Sequence, residues 1–193
     1  MKKKLFVLFI FVLFFGDKLQ ANNIKPIYEG SEEAKVTIIT YESLTCGHCA
    51  DFHKNVYPKL KKEFIDKGLV KIEFRHFPLD MAALNASKIS QCKNDGKSEI
   101  LHFLFKNQNK WVKGKTVDDL NANLKEVIIE KYKDINFDKC INNKEIEDYV
   151  LNSRIDGVKK FKVNATPTVI INNKKFDKTL NFKNLKKTIE KLI

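Results

Sequence analysis

Two cysteines with two residues between them, in "SLTCGHCADFH" at residues 43–53, constrain this chain more than any other feature. Just before them, Val36 to Tyr41 is rich in valine, isoleucine and threonine, which predicts a buried strand. Just after them, Phe52, Val56, Leu60 and Phe64 recur every four positions, one stripe of a helix running to about Lys67. The dithiol therefore falls on a strand-to-helix turn. A helix start offers unpaired backbone N–H groups and the positive end of the dipole, and both favour a thiolate. Cys46 is placed there as the attacking sulfur. Cys49, one turn further in, suits a buried resolving thiol, and a hydrogen bond from the His48 ring would stabilise the Cys46 thiolate further.

The rest of the chain alternates in a definite order. Pro58 predicts a kink or break near Val56, and Gly68 a helix C-terminus. Val70 to Phe77 alternates as a second strand that stops at Pro78. Residues 81–161 then read as helix throughout: Ala82, Ala86, Ile89 and Cys92 share one face, Ser98 opens a second helix, and Thr116 with Asp119 forms a capping-box variant. A turn around Cys140 leads to a last long helix from about Lys144 to Lys160. Thr168 to Ile171 is a strand, Asn172-Asn173 suits a tight hairpin, and Lys174 to Phe176 returns. Phe182, Leu185, Ile189 and Leu192 make a closing amphipathic helix. The expected class is α/β: a β-α-β half and a β-β-α half separated by an all-helical insertion at about 81–161.

The N-terminus bears on where such a dithiol would work. "MKKK", the eleven apolar residues Leu5 to Phe15 and a stretch ending in Ala21 have the form of a cleaved signal peptide at residues 1–21, leaving a mature domain at 22–193. Eleven helical residues reach about 16 Å, half of a hydrocarbon core, so a retained N-terminal anchor is the weaker alternative. An exported chain works where disulfides persist, and the periplasm is the expected location. The formal charge of +12 would suit nucleic acid, yet only Arg75 and Arg154 among 36 basic residues are arginine, the residue whose planar fork reads phosphates and bases. No nucleic-acid partner is expected.

Four cysteines allow three pairings. With Cys46 and Cys49 as the redox pair, Cys92 and Cys140 are expected to form a structural disulfide within the insertion. A zinc site wants two further ligands in partner spacing. Cys92 and Cys140 stand alone, and His48 and His53 are too close along the chain to complete one, so no metal and no cofactor is expected. His53, His76 and His102 read most simply as packed or exposed structural histidines.

These features together resemble the DsbA-like branch of the thioredoxin superfamily. The resemblance rests on the strand leading into "SLTCGHCADFH", on the helical insertion after the second strand, and on "VNATPTVIINN" at residues 163–173. It implies a thioredoxin fold, a cis-proline at Pro167 facing the dithiol, and a client peptide held by Thr166 with its sulfur aimed at Cys46. It also implies a thiol-disulfide oxidoreductase acting on unfolded or reduced exported proteins, and reoxidation by a quinone-linked membrane partner like DsbB. One departure stands out. Many relatives carry a buried acid six residues before the first cysteine, where this chain has Thr40; either Glu42, on the same strand face, substitutes for it, or proton transfer goes through water and Glu42 is a solvent-exposed strand-end carboxylate. A histidine beside the resolving cysteine resembles the oxidising members, and fourteen residues before Val36 leave no room for a dimerisation module. A monomeric disulfide donor is therefore expected. The alternatives are an isomerase or reductase, or a non-catalytic metal carrier using Cys46, His48 and Cys49.

Overall fold

A computed structural model describes residues 24–193; the segment read as a leader lies outside the described residues. Among the described residues the order opens with β1 (Ile27–Glu29), then β2 (Val36–Glu42), α1 (Gly47–Asn55), α2 (Tyr57–Leu60), a π-helical turn at Lys61–Ile65, and β3 (Val70–His76). The insertion holds α3 (Met81–Gln91), α4 (Glu99–Lys106), α5 (Gln108–Trp111), α6 (Val117–Lys131), α7 (Phe137–Ile141) and α8 (Lys144–Phe161). It closes with β4 (Thr168–Ile171), β5 (Lys174–Lys175) and α9 (Phe182–Ile189).

The five strands form one sheet in the order β1-β3-β2-β4-β5. β2 and β3 run parallel, with Val36 opposite Val70 and Glu42 opposite His76, while the other three pairs are antiparallel. The parallel pair is central, and β2 is buried along both faces except at Thr37, which explains its near-continuous apolar reading. β3 alternates buried and half-buried residues, as its sequence pattern predicts. The insertion is helical from end to end. Among the described strands, sequence reading missed β1, three residues that pair with β3.

Local signals account for most of the boundaries. The helix after the dithiol breaks at Val56 (φ −110°, ψ −54°), two residues before Pro58, and restarts with that proline in its first turn. It then widens into the π-helical turn, closed by the Asp66 amide donating to the Lys61 carbonyl at 2.9 Å. Gly68 (φ +70°) turns the chain back toward β3, a conformation glycine adopts without strain. Thr116 and Asp119 cap each other's main chain in the box expected of them, at 3.1 and 3.0 Å. Ser98, expected to start α4, precedes it, but its hydroxyl turns away from the helix to donate to Glu29. Asn172 and Asn173 both take positive φ (44° and 64°), giving the tight turn between β4 and β5. The closing helix ends at Ile189, and Leu192 lies beyond it, exposed.

The main core fills one side of the sheet. Ile38, Ile72 and Phe74 meet Phe52, Leu60 and Phe64 there, and the insertion adds Leu101, Leu104, Leu124 and the fully buried Trp111, whose indole N–H donates to the Leu104 carbonyl at 3.0 Å. On the opposite face a smaller cluster joins Ile39, Tyr41, Phe77, Val163 and Ile170. α8 crosses this face at Gly157, where a Cβ would stand 2.7 Å from Tyr41 Cε1. The insertion thus packs on both sides of the sheet. Cys92, at the end of α3, is bonded to Cys140 in α7 across 48 positions, with Cα atoms 5.5 Å apart.

Candidate active site

β2 ends at Glu42, and a short turn carries the chain into α1. Cys46 occupies the N-cap position with extended backbone (φ −78°, ψ 120°) and makes no side-chain cap hydrogen bond of its own. Its amide donates to the Ser43 carbonyl at 3.0 Å, and its carbonyl accepts from Ala50 at 3.1 Å. The insertion holds this turn from outside. Gln108 in α5 donates from one amide nitrogen to the carbonyls of Leu44 (2.8 Å) and Cys46 (3.1 Å), and Asp80 accepts from the Thr45 hydroxyl at 2.7 Å. Neither residue carries a motif that would have marked it; only the fold brings them to the dithiol.

The two thiols are free and differ in environment: Cys46 is half-buried, and Cys49 has no exposed surface. Across the site, the Thr166–Pro167 bond is cis. The Cys46 sulfur lies 3.4 Å from the Thr166 carbonyl, to which its neutral thiol form donates. The hydrogen bond from Cys49 is the largest influence on Cys46 and pulls its pKa down to about 5; burial opposes this, and the Thr166 side chain and the main-chain N–H groups of Cys49 and His48 add to the fall. Cys49 moves the other way. Burial pushes its thiol far up, reinforced by the adjacent Cys46 sulfur and the charge of Glu42. One sulfur is thus an anion at neutral pH and the other a firmly held thiol, the division of labour that thiol-disulfide exchange needs.

His48 differs from its expected role. Its ring is exposed, and among the described residues no hydrogen bond joins it to the Cys46 sulfur; its contribution comes through the main-chain N–H. Glu42 is not a solvent-exposed strand end. It is buried, and its Oε2 lies 2.8 Å from His53 Nε2. Its Oε1 and the hydroxyls of Thr40 and Thr166 are buried without hydrogen-bond partners. His53 and His102, read as separate structural histidines, meet at 3.0 Å between their Nδ1 atoms. No group of three or more His, Cys, Asp or Glu side chains among the described residues converges to hold a metal ion. No helix among them is long and apolar enough to cross a membrane.

A β-α-β/β-β-α sheet with a dithiol at the first strand-to-helix turn, opposite a cis-proline, defines a thioredoxin-fold protein. Comparison with known proteins agrees: the family model described as Thioredoxin matches residues 22–191. The crystal structure of Wolbachia pipientis alpha-DsbA1 superposes with a TM-score of 0.76 at 31% identity, covering 86% of this chain and 90% of that one. BdbD from Bacillus subtilis superposes with a TM-score of 0.70 at 25% identity, covering 86% and 91%. In sequence, disulfide bond formation protein D of Bacillus subtilis is 29% identical over 172 residues, covering 84% of this chain and 74% of that protein. A Rickettsia bellii relative, named provisionally as a protein-disulfide oxidoreductase, is 28% identical over 148 residues. The chain spans just over half the length of that relative, 55%. The chain belongs to the DsbA-like branch of the thioredoxin superfamily.

Proposed function

We propose that this chain is an exported thiol-disulfide oxidoreductase that donates disulfides to newly exported proteins through Cys46 and Cys49. A client thiolate attacks the Cys46 sulfur of the oxidised enzyme; the Cys46–Cys49 bond breaks, and its electron pair leaves on Cys49. A second client thiolate then attacks the client sulfur of the mixed disulfide, and Cys46 departs as a thiolate. The client has lost two electrons, which the dithiol holds. The observation that carries this reading is the free Cys46 at the start of α1, facing the cis Thr166–Pro167 bond, where the hydrogen bond from Cys49 lowers its proton affinity and so makes it a good leaving group in the last step and favours the reduced enzyme. Thr166, with its carbonyl beside Cys46, is the position at which a client strand would pair, next to Pro167.

Export to the periplasm rests on the leader-like residues 1–21. Reoxidation would come from a quinone-linked membrane partner like DsbB. Equilibration of the purified protein with reduced and oxidised glutathione tests the direction of electron flow. A reduction potential above about −180 mV is expected of a disulfide donor. A value near about −270 mV would make the protein a reductase instead.

A further inference from the structure

The positive charge of this chain is unevenly placed. Residues 159–193 carry ten lysines against Asp177 and Glu190, a net charge of +8; residues 22–158 carry 22 basic and 21 acidic residues, a net charge of +1. Folding gathers the charged part along one margin of the sheet. β5 is the strand at that margin, and Lys174 and Lys175 are exposed on it. α9 packs Leu185 and Ile189 into the main core on one face of the sheet, and α8 lies against the other face at Gly157. Just past α8, the Lys162 carbonyl accepts from Lys175 Nζ at 3.3 Å, which sets the exposed Lys159 and Lys160 of the last α8 turn close to β5. On the other flank α9 exposes Lys183 and Lys187, four positions apart on one helix face, with Lys191 exposed just beyond its end.

Between β5 and α9 runs a groove of about 350 Å³, walled by Ile171, Phe176 and Leu192 and edged by Lys174, Lys175 and Lys178. Leu192 is exposed there. Of the ten lysines, Lys160 pairs with Asp156 at 3.1 Å and Lys186 with Glu63 at 2.7 Å; among the described residues the other eight have no acidic partner. Ammonium groups spread over a helix end, a strand, a loop and a second helix do not converge on one small anion. They suit a broad polyanionic surface, and lysine, a point charge on a flexible stem, meets such a surface without a fixed geometry. Arginine is the residue that reads nucleic acid, and both arginines lie outside residues 159–193. Exposed apolar groups among the lysines add what a lipid surface rewards: charge draws the protein to anionic headgroups, and the apolar groups enter the boundary with the acyl chains.

We propose that the β5 margin, with the flanking end of α8 and the exposed side of α9, is a docking surface for a membrane that contains anionic phospholipid. Headgroup phosphates meet Lys174, Lys175 and Lys178 at the groove, and Leu192 meets the boundary with the acyl chains. This surface is independent of the chemistry assigned to the dithiol. Its position bears on that chemistry all the same. β2, which leads into Cys46, is two strands in from β5, roughly 10 Å at the spacing of neighbouring strands. Docking along the margin covers the side of the sheet and leaves the end that carries Cys46 and Pro167 open. The dithiol is thereby held close to the lipid without being buried in it.

Co-sedimentation with phosphatidylcholine vesicles, prepared with and without phosphatidylglycerol, tests this. Phosphatidylglycerol should strengthen wild-type binding by about tenfold or more, and high salt should reverse the gain. One variant combines Lys174→Gln, Lys175→Gln and Lys178→Gln at the margin; a second combines Lys131→Gln, Lys133→Gln and Lys139→Gln, exposed positions of the insertion that remove the same charge. Residues 1–21, where retained, are common to all these proteins and cancel in the comparison. A lysine at an anionic surface strengthens binding about fivefold, so after screening the margin variant should lose about tenfold or more and the insertion variant less than about twofold. Equal losses would mean that net charge alone acts, and no gain from phosphatidylglycerol would mean that no anionic lipid is recognised; either result overturns the proposal. Leu192→Trp adds a reporter at the groove, distinct from the fully buried Trp111, and its emission should shift to the blue on phosphatidylglycerol vesicles. Unshifted emission from bound protein places the contact elsewhere and overturns the assignment. Wild-type protein that binds soluble polyglutamate as tightly as the vesicles would make the margin a site for acidic protein segments, which also overturns it.

Discussion

Replacing Cys46 by serine removes the one anion that the first turn of α1 is built to hold, and the loss should depend on pH in a definite way. The Cys46 pKa falls from 9.0 to about 5 in the folded chain. A depressed folded-state value means that the unfolded chain binds more protons between the two pKa values, so the stabilisation rises with pH across that window. It is fully present above about 9 and lost as pH falls through about 5. At pH 7 the two units above the folded pKa correspond to about 2.7 kcal/mol at 1.36 kcal/mol per unit. Cys46 is only half-buried, and solvent screening reduces this to about 1–2 kcal/mol. Cys49 stays protonated throughout and contributes nothing to the slope. Urea unfolding of reduced wild-type protein and of Cys46→Ser, at pH 4 and pH 7, measures the difference directly. The two should agree at pH 4 and separate at pH 7, wild type being the more stable by about 1–2 kcal/mol. A gap of the same size at both pH values would show that the sulfur is held by packing rather than as an anion, and the argument from leaving-group stability would fall with it.

His48→Ala leaves the main-chain N–H in place, so the Cys46 pKa should move by less than about one unit in a thiolate absorbance titration; a larger rise would restore the exposed ring to the mechanism. Gly157→Ala drives a methyl group to 2.7 Å from Tyr41 Cε1, and repacking of α8 on the sheet should cost about 1–3 kcal/mol in urea unfolding. Replacing Cys92 and Cys140 together by alanine opens a loop of 48 positions and should lower stability by about 4 kcal/mol in the chain-entropy model, while glutathione exchange at Cys46 continues; an unchanged midpoint in urea would show that the reduced, unfolded chain is already compact.

What the sequence disclosed, and what it withheld, follows the range of the interactions involved. The dithiol turn, the break at Val56 and the Asn172-Asn173 turn are local: each is set by residues within a few positions, through helix-end dipoles, the missing N–H of Pro58, or the tolerance of asparagine for positive φ. The helical insertion was legible because its apolar spacing is regular. β1 was not, since three residues are too few to show alternation, and their pairing with β3 lies more than forty positions away. The same holds for the site. Cys46 and Cys49 announce themselves, whereas the approach of His53 to His102 joins residues 49 positions apart, and that of His102 to Glu29 residues 73 apart. Periodicity treats each of these histidines as one more face residue. Glu42 was left between two readings by its neighbours, and burial against α1 decides for the interior one.

The sheet's two edges bear on a different problem. A protein that handles unfolded chains meets many extended segments looking for a strand to pair with, and an open sheet is a template for them. The margins of this sheet are short, three residues in β1 and two in β5. The two in β5 are the exposed lysines Lys174 and Lys175, whose charge and hydration oppose the stacking of a further strand. Clients that stick along a margin would assemble copies of the protein into aggregates rather than turn over. On the disulfide-donor reading proposed above, short margins, one of them cationic, leave the segment beside Thr166 as the place where a client chain can pair and still be released.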